Sequence, residues 1–360
     1  MTLTRRLMAG VPPRVAFATF SLGGVLGLLA GHLGLPLPMM LGSMLGVALA
    51  SGLGVRIGGM ALAVPQAWRN VMVPIIGVSI GAGFPPDILD ALRQWWLSIA
   101  LLFVVIPLAQ LIAFGLYRRV GRLDRATAFF AAMPGGFIEA IEMADKARAD
   151  HRMVISLQLL RLILSIVLIP VGFSITAGHV VGSASGIALP GSGHALDAFD
   201  IAVLIALGAS GWFLGTMARL PAAVMFGPLL VSAAAHSAGL TEAAPPGWSI
   251  LVAQWVLGTT LGCRLAGLSR AQLTRAFGLS VLNTTAMLTL AAGVAALFHA
   301  RIGEPEGAVI LAFAPGGVTE MSLVALSLHL SAVYVSVHHM LRILIAVVAA
   351  KALQGPVVGR

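Results

Sequence analysis

Apolar runs of bilayer-crossing length recur along the whole chain, and this constrains its fold more than any motif does. They lie near 15–33, 36–53, 64–84, 96–116 and 153–174, and again near 199–217, 221–238, 248–263, 277–298 and 331–350. A hydrocarbon core about 30 Å thick takes roughly 20 apolar residues of helix per crossing. The runs therefore predict an all-α polytopic membrane protein. Hydrophobic residues make up 59% of the chain and charged residues 10%, too few charges to clothe a soluble domain of this size. The 42 glycines fit the same reading, because small residues let membrane helices approach closely. The Gly23-x-x-x-Gly27-x-x-x-Gly31 ladder is expected to pack helices in this way.

The formal net charge of +9 does not mark a nucleic-acid binder. The basic residues punctuate the ends of apolar runs, which is the positive-inside pattern of membrane proteins. A lone cysteine, Cys263, excludes an internal disulfide and a cysteine-based metal site. Arg5, Arg6 and Arg14 precede the first run, as in a signal peptide. That run continues to about Leu33 with no clear small-residue cleavage site, so it reads as the first membrane helix.

The chain repeats itself. A shift of 181 residues lays Pro134-Gly135-Gly136 on Pro315-Gly316-Gly317, Glu139 on Glu320, Val154 on Val335, Leu160 on Leu341 and Arg161 on Arg342. Gly77 and Gly81 fall on Gly258 and Gly262 at the same shift. A shift of 185 lays Leu35-Pro36 on Leu220-Pro221, Met40 on Met225, Gly42 on Gly227 and Leu45 on Leu230. The expected organisation is a first membrane repeat at 1–176, an extracytoplasmic linker at 177–198 and a second repeat at 199–360.

The orientation of the halves turns on the segments that carry Pro-Gly-Gly, 126–145 and 307–328. If each crosses, the halves are parallel. If each enters and returns on one side, every half has five crossings and the halves are inverted. With the N-terminus inside and both segments re-entrant, the inside holds Arg5, Arg6, Arg14, Arg56, Arg69, Arg118, Arg119, Arg122, Arg125, Lys146, Arg148, Arg152, Arg219, Arg264, Arg270, Arg275, Lys351 and Arg360. The outside holds Arg93 and Arg301. Full crossing would move Lys146, Arg148 and Arg152 outside, so the charges favour two inverted repeats of five helices, each with a re-entrant or broken segment. Both termini are then cytoplasmic.

Helix can break within a membrane only where the freed backbone is buried in protein or lines a cavity. Proline lacks an N–H and glycine tolerates unusual dihedrals, so Pro134-Gly135-Gly136 and Pro315-Gly316-Gly317 can each form the tip of a helical hairpin. The helix after each tip points a positive dipole end inward, where an anion would sit well. Glu139 and Glu320 follow one turn later. They are candidates for proton carrying or cation coordination, or they cap their own helix starts. Glu142 has no acidic counterpart, since Leu323 takes its place. Arg161 and Arg342 lie mid-run with Gln158 and His339 at i, i+3. Each arginine could hold an anion bidentately or neutralise a glutamate across the bundle. His339 could titrate near neutral pH, and His338 lies about 100° round the helix from it. His32, His151, His179, His194, His236, His299 and His329 are expected at segment ends or in loops. No histidine spacing matches a metal site.

The duplicated Leu-Pro-x-x-x-Met-x-Gly block, the Pro-Gly-Gly-x-x-Glu tip and the Gln/His-x-x-Arg helix resemble the bacterial AbrB-type membrane protein family over nearly the whole chain. Its members are labelled ammonia monooxygenases or regulators of gene expression, and they are distinct from small DNA-binding proteins of similar name. Gln158 in place of a second histidine departs from a symmetric His–Arg pattern. An oxygenase would need a metal or flavin site, and none is visible. A direct DNA regulator would need a soluble basic module, and no loop is large enough. The residues instead imply a secondary transporter of a small solute, with an organic anion or carboxylate as first choice. It would have no enzymatic activity, no cofactor and no nucleic-acid partner. It would sit in the bacterial inner membrane, and a homodimer is left open.

Overall fold

The computed structural model of the chain describes residues 10–84, 90, 93–178, 196–220, 222–266 and 270–358. Arg5, Arg6, His179, His194, Pro221, Arg360 and most of the expected linker, 179–195, lie outside them. The helices in chain order are α1 (Pro13–His32), α2 (Pro38–Gly52), α3 (Gln66–Gly81), α4 (Trp96–Arg119), α5 (Arg125–Ala132), α6 (Phe137–Lys146), α7 (His151–Ala177), α8 (Ala198–Met217), α9 (Ala223–Ser237), α10 (Gly247–Cys263), α11 (Arg270–Ile302), α12 (Glu306–Phe313), α13 (Val318–Ser327) and α14 (Ala332–Val358). A two-residue hairpin, β1 (Arg56–Ile57) with β2 (Met60–Ala61), joins α2 to α3.

Each of the ten apolar runs holds one helix, and each Pro-Gly-Gly segment holds two short ones. Among the described residues, six helices are long and apolar enough to cross a membrane: α1, α4, α7, α8, α11 and α14. The other four, α2, α3, α9 and α10, have 15, 16, 15 and 17 residues. At 1.5 Å per residue they are about 22 to 26 Å long, short of a full hydrocarbon core.

The chain forms two compact units, and each draws on both sequence repeats. One comprises Met1–Ile88, Pro170–Gly267 and Ser322–Val333; the other comprises Leu89–Ile169, Leu268–Met321 and Tyr334–Arg360.

In the first unit the repeats exchange partners. α2 packs on α10, while α9, the repeat counterpart of α2, packs on α3, the counterpart of α10. Glycines set both crossings. A Cβ on Gly77 would lie 2.5 Å from Met225 O, and a Cβ on Gly258 would collide with Met40 O. Both pairs match across the repeat, which is why glycine occupies these four-residue-spaced positions. Gly23 faces Ser43 and Thr259, Gly27 faces Met39 and Gly31 faces Pro38, so the N-terminal ladder packs as expected. The residues that enter α2 and α9, Leu37 and Ala222, both take left-handed backbone at φ 49° and 47°. A side chain there costs about 1–2 kcal/mol, and the repeat carries that conformation in both copies.

The second unit holds both Pro-Gly-Gly tips and both arginines. α5 packs on α4 and on α6, α12 packs on α11, and α11 packs on α4. Ties at the segment ends close it: Arg275 donates to Gly121 O at 2.8 Å and the Asp150 N–H donates to Thr127 Oγ1 at 2.8 Å.

Candidate functional site

The two first legs end alike. α5 and α12 stop because the residue before a proline is driven out of helical backbone. Met133 has ψ 122° and Ala314 has ψ 148°. Asp124 caps the start of α5 by accepting from the Thr127 N–H at 2.9 Å. Burial alone would raise the Asp124 carboxyl, but hydrogen bonds from the Thr127 side chain and from the Thr127, Ala126 and Asp124 N–H groups hold it below the usual range. Gly136 enters α6 at φ 71°, a left-handed position that favours glycine.

Each arginine seals the end of its own first leg. Arg161 donates to Met133 O at 2.8 Å and to Gln158 Oε1 at 2.5 Å. Gln158 Nε2 in turn donates to Phe130 O at 2.9 Å and Met133 O at 3.2 Å. In the second copy Arg342 donates to Ala314 O and Gly316 O, and His339 Nε2 meets Leu311 O at 2.9 Å. Phe130, Met133, Gln158 and Arg161 are the repeat equivalents of Leu311, Ala314, His339 and Arg342, so the two networks are copies. A cation against the free carbonyls of a helix C-terminus satisfies both their hydrogen bonding and the dipole.

This arrangement explains Gln158 opposite His339. A carbonyl only accepts, so His339 Nε2 carries the proton toward Leu311 O, and Nδ1 accepts from Arg342 at 3.1 Å. Gln158 donates with its amide and accepts with its oxygen in the same way. A neutral donor–acceptor pair is what the position needs, and both side chains supply one.

Each tip also packs on the arginine helix of the other repeat. A Cβ on Gly135 would lie 3.3 Å from Ile343 Cα, and one on Gly317 would lie 3.5 Å from Leu162 Cδ1. Leu162 and Ile343 are repeat equivalents. The two glutamates turn back over their own tips: Glu139 Oε2 lies 3.1 Å from a Cβ on Gly136, and Glu320 Oε2 crowds the corresponding point on Gly317. Three residues past the cap, this is the reach of a capping carboxylate. Glu320 is buried and Glu139 half-buried.

The tips and the arginines meet at one cavity inside this unit. It measures about 20 Å³ and is lined by Pro134, Pro315, Arg161, Arg342, Asn283 and a ring of apolar side chains from α4 and α11. That volume admits about one water molecule. Of the expected site residues, Pro134, Arg161, Pro315 and Arg342 face it. Gly135, Gly136, Gly316, Gly317, Gln158 and His339 stand behind as support, and Glu139 and Glu320 do not line it.

Arg161 is 8% exposed and Arg342 is 2% exposed, and Arg342 feels the charge of Arg161. No carboxylate is paired with either arginine among the described residues; Arg93–Asp90 and His151–Asp145 are ion pairs elsewhere. Arg342 Nε, Asn283 Nδ2 and Asn283 Oδ1 are buried without a hydrogen-bond partner. The Tyr117 hydroxyl lies near Arg161 and Asn283, too loosely placed for a well-formed bond to the amide. Buried polar groups in native proteins have partners, so this cavity is equipped to receive one.

Asn283 and Tyr117 were not singled out by sequence reasoning. Asn283 is an amide in the middle of the 277–298 run, a visible signal, but its repeat equivalent is Leu102, and a search for duplicated residues passes over it. A second cluster, also in this unit, surrounds His338. Its Nδ1 meets Tyr334 O and its Nε2 meets Ser98 Oγ, both at 2.8 Å. Trp95 stacks edge-on against Tyr334 and donates to Glu304 Oε1 at 2.9 Å. Burial pushes the Glu304 carboxyl above the usual range, against the lowering effect of the Trp95 bond. No group of three or more His, Cys, Asp or Glu able to hold a metal occurs among the described residues.

Comparison with known proteins matches residues 39–355 to the family model described as AbrB, "Transition state regulatory protein AbrB". The chain is 24% identical over 295 residues to "Uncharacterized protein YhjN" of Bacillus subtilis (strain 168), covering 78% of this chain and 76% of that protein. It is 24% identical over 304 residues to "Putative regulator AbrB" of Escherichia coli (strain K12), covering 83% of each.

Proposed function

The chain belongs to the AbrB family, and from that premise we propose that it is a secondary transporter of a small organic anion. One observation carries this reading: two buried guanidinium groups, unpaired with any carboxylate among the described residues, face one cavity. A buried charge without a partner is strongly unfavourable, so the site calls for an anion. The arginines sit on equivalent helices of the two repeats, and the cavity lies where the repeats meet within one unit. Transport by alternating access presents that cavity to each side of the membrane in turn.

The topology we propose has two inverted repeats of five crossings, with α2, α3, α9 and α10 spanning a locally thinned bilayer, the Pro-Gly-Gly segments re-entrant and both termini in the cytoplasm of a bacterial cell. The leg lengths support it. α5 and α6 have 8 and 10 residues, about 12 and 15 Å of helix, near half the hydrocarbon core. Proton or sodium coupling through Glu139 and Glu320 belongs to the same reading. An effect on gene expression, as the Escherichia coli relative's name suggests, would follow indirectly from solute flux.

The test is counterflow of labelled small carboxylates into proteoliposomes. Arg161→Gln and Arg342→Gln should each abolish uptake while the protein still elutes as a monodisperse species. Wild-type uptake by both variants would remove the site from the transport path.

A further inference from the structure

We propose that the cavity between Pro134 and Pro315 takes a compact dianion, one negative charge for each guanidinium. This rests on the anion-site reading above and narrows it to a charge class. The charge balance around the cavity is the argument. Arg161 and Arg342 each face the C-terminal end of a short helix, α5 or α12, worth roughly −0.5 charge, and each tip begins a helix, α6 or α13, worth roughly +0.5. These end charges cancel across the duplicated tips. Glu139 and Glu320 lie back over Gly136 and Gly317, away from the cavity lining. Across the cavity the two guanidinium groups repel one another. About two positive charges are left facing the cavity.

The unused hydrogen-bonding capacity points the same way. Arg342 spends its terminal nitrogens on Ala314 O, Gly316 O and His339, and its Nε has no partner. Asn283 offers a donor and an acceptor with no partner, and it is fully buried. An oxyanion accepts from all these donors. The Asn283 oxygen suits a ligand that also bears a hydroxyl, or a bound water. A monoanion would leave one buried guanidinium uncompensated. At about 20 Å³ the cavity holds one water as it stands, so binding a dianion must part the two tips, and a short ligand needs the smallest opening. Inorganic oxyanions and short dicarboxylates share the required chemistry, and the pairing of two half-sites about one cavity suits a molecule with a carboxylate at each end.

The experiment is thermal stabilisation of the purified full chain by malonate, sulfate and acetate at about pH 8, where malonate and sulfate are doubly charged, at constant ionic strength. Malonate or sulfate should shift the unfolding midpoint at a concentration about tenfold or more below acetate. Malonate ahead of sulfate assigns the two-ended carboxylate, and sulfate ahead assigns the single-centre oxyanion. Arg342→Gln should erase the preference for charge two. Asn283→Asp adds a negative charge to the cavity without touching either helix-end network, and it should weaken dianions more than acetate. Equal potency of acetate and malonate, lost in Arg342→Gln, overturns the dianion and leaves the anion site standing. No stabilisation by any of the three overturns both.

Discussion

Replacing Gly77 or Gly258 with alanine tests the exchanged packing of the repeats directly. Real Cβ atoms essentially never approach a neighbour within 3.0 Å, and at Gly77 the added atom would lie 2.5 Å from Met225 O, so α3 and α9 must part by about 0.5 Å. At Gly258 the added atom meets Met40 O closer still. Both obstacles are backbone, which cannot swing aside as a side-chain tip would. Overpacking of this kind costs about 1–3 kcal/mol, and the better helix propensity of alanine returns about 1 kcal/mol. The backbone obstacle places each variant near the upper end, a net loss of about 2 kcal/mol. Gly115 lies inside α4 with nothing within 4 Å of an added Cβ, so Gly115→Ala is the matched control and should hold or gain stability. Intrinsic tryptophan fluorescence during thermal unfolding in detergent reads all three. Similar drops of the midpoint for Gly77→Ala and Gly258→Ala, with none for Gly115→Ala, are expected. A Gly77→Ala protein that unfolds at or above the wild-type temperature would refute the close crossing.

Asp124→Ala removes the cap of α5 and should cost about 1 kcal/mol near neutral pH. Because the folded Asp124 carboxyl is held below its ordinary value, its contribution is complete above that ordinary value and is lost as pH falls through the folded one; Asp124→Ala should therefore show a shallower acid limb in unfolding midpoint against pH. Glu304 behaves oppositely. Its folded carboxyl is raised, so the folded state holds the extra proton, and stability falls as pH rises from the ordinary carboxylate value through the raised one. Glu304→Gln keeps an acceptor for Trp95 and should flatten that slope; an unchanged slope would place the titration elsewhere.

The helices were legible in the sequence because apolar length is a direct physical demand of the bilayer, and each run between Val15 and Ala350 holds the helix it announces. The breaks at Pro134 and Pro315 were legible for an equally local reason, the backbone preference of the residue before proline. Partner choice was not. The sequence pairs Gly77 with Gly258 by repetition, yet nothing in it says that each contacts the other half's second helix. The arginines show the same limit. Their position within apolar runs marked them as unusual, but the main-chain carbonyls of Met133 and Ala314 that hold them are invisible in a sequence, which records side chains alone. Asn283 was hidden by the search for symmetry itself, since it stands in one repeat only.

The exchanged crossings also bear on how such a chain could arise. α2 packs on α10 and α3 packs on α9, so the Gly77 and Gly258 faces are each buried by the other half. In an ancestor of half this length, the same crossings would have run between two separate copies. Fusion would turn an association between molecules into one within a chain, with an effective concentration set by a tether. Once one gene encoded both copies, each was free to change alone. Asn283 opposite Leu102 and His339 opposite Gln158 are two places where they have.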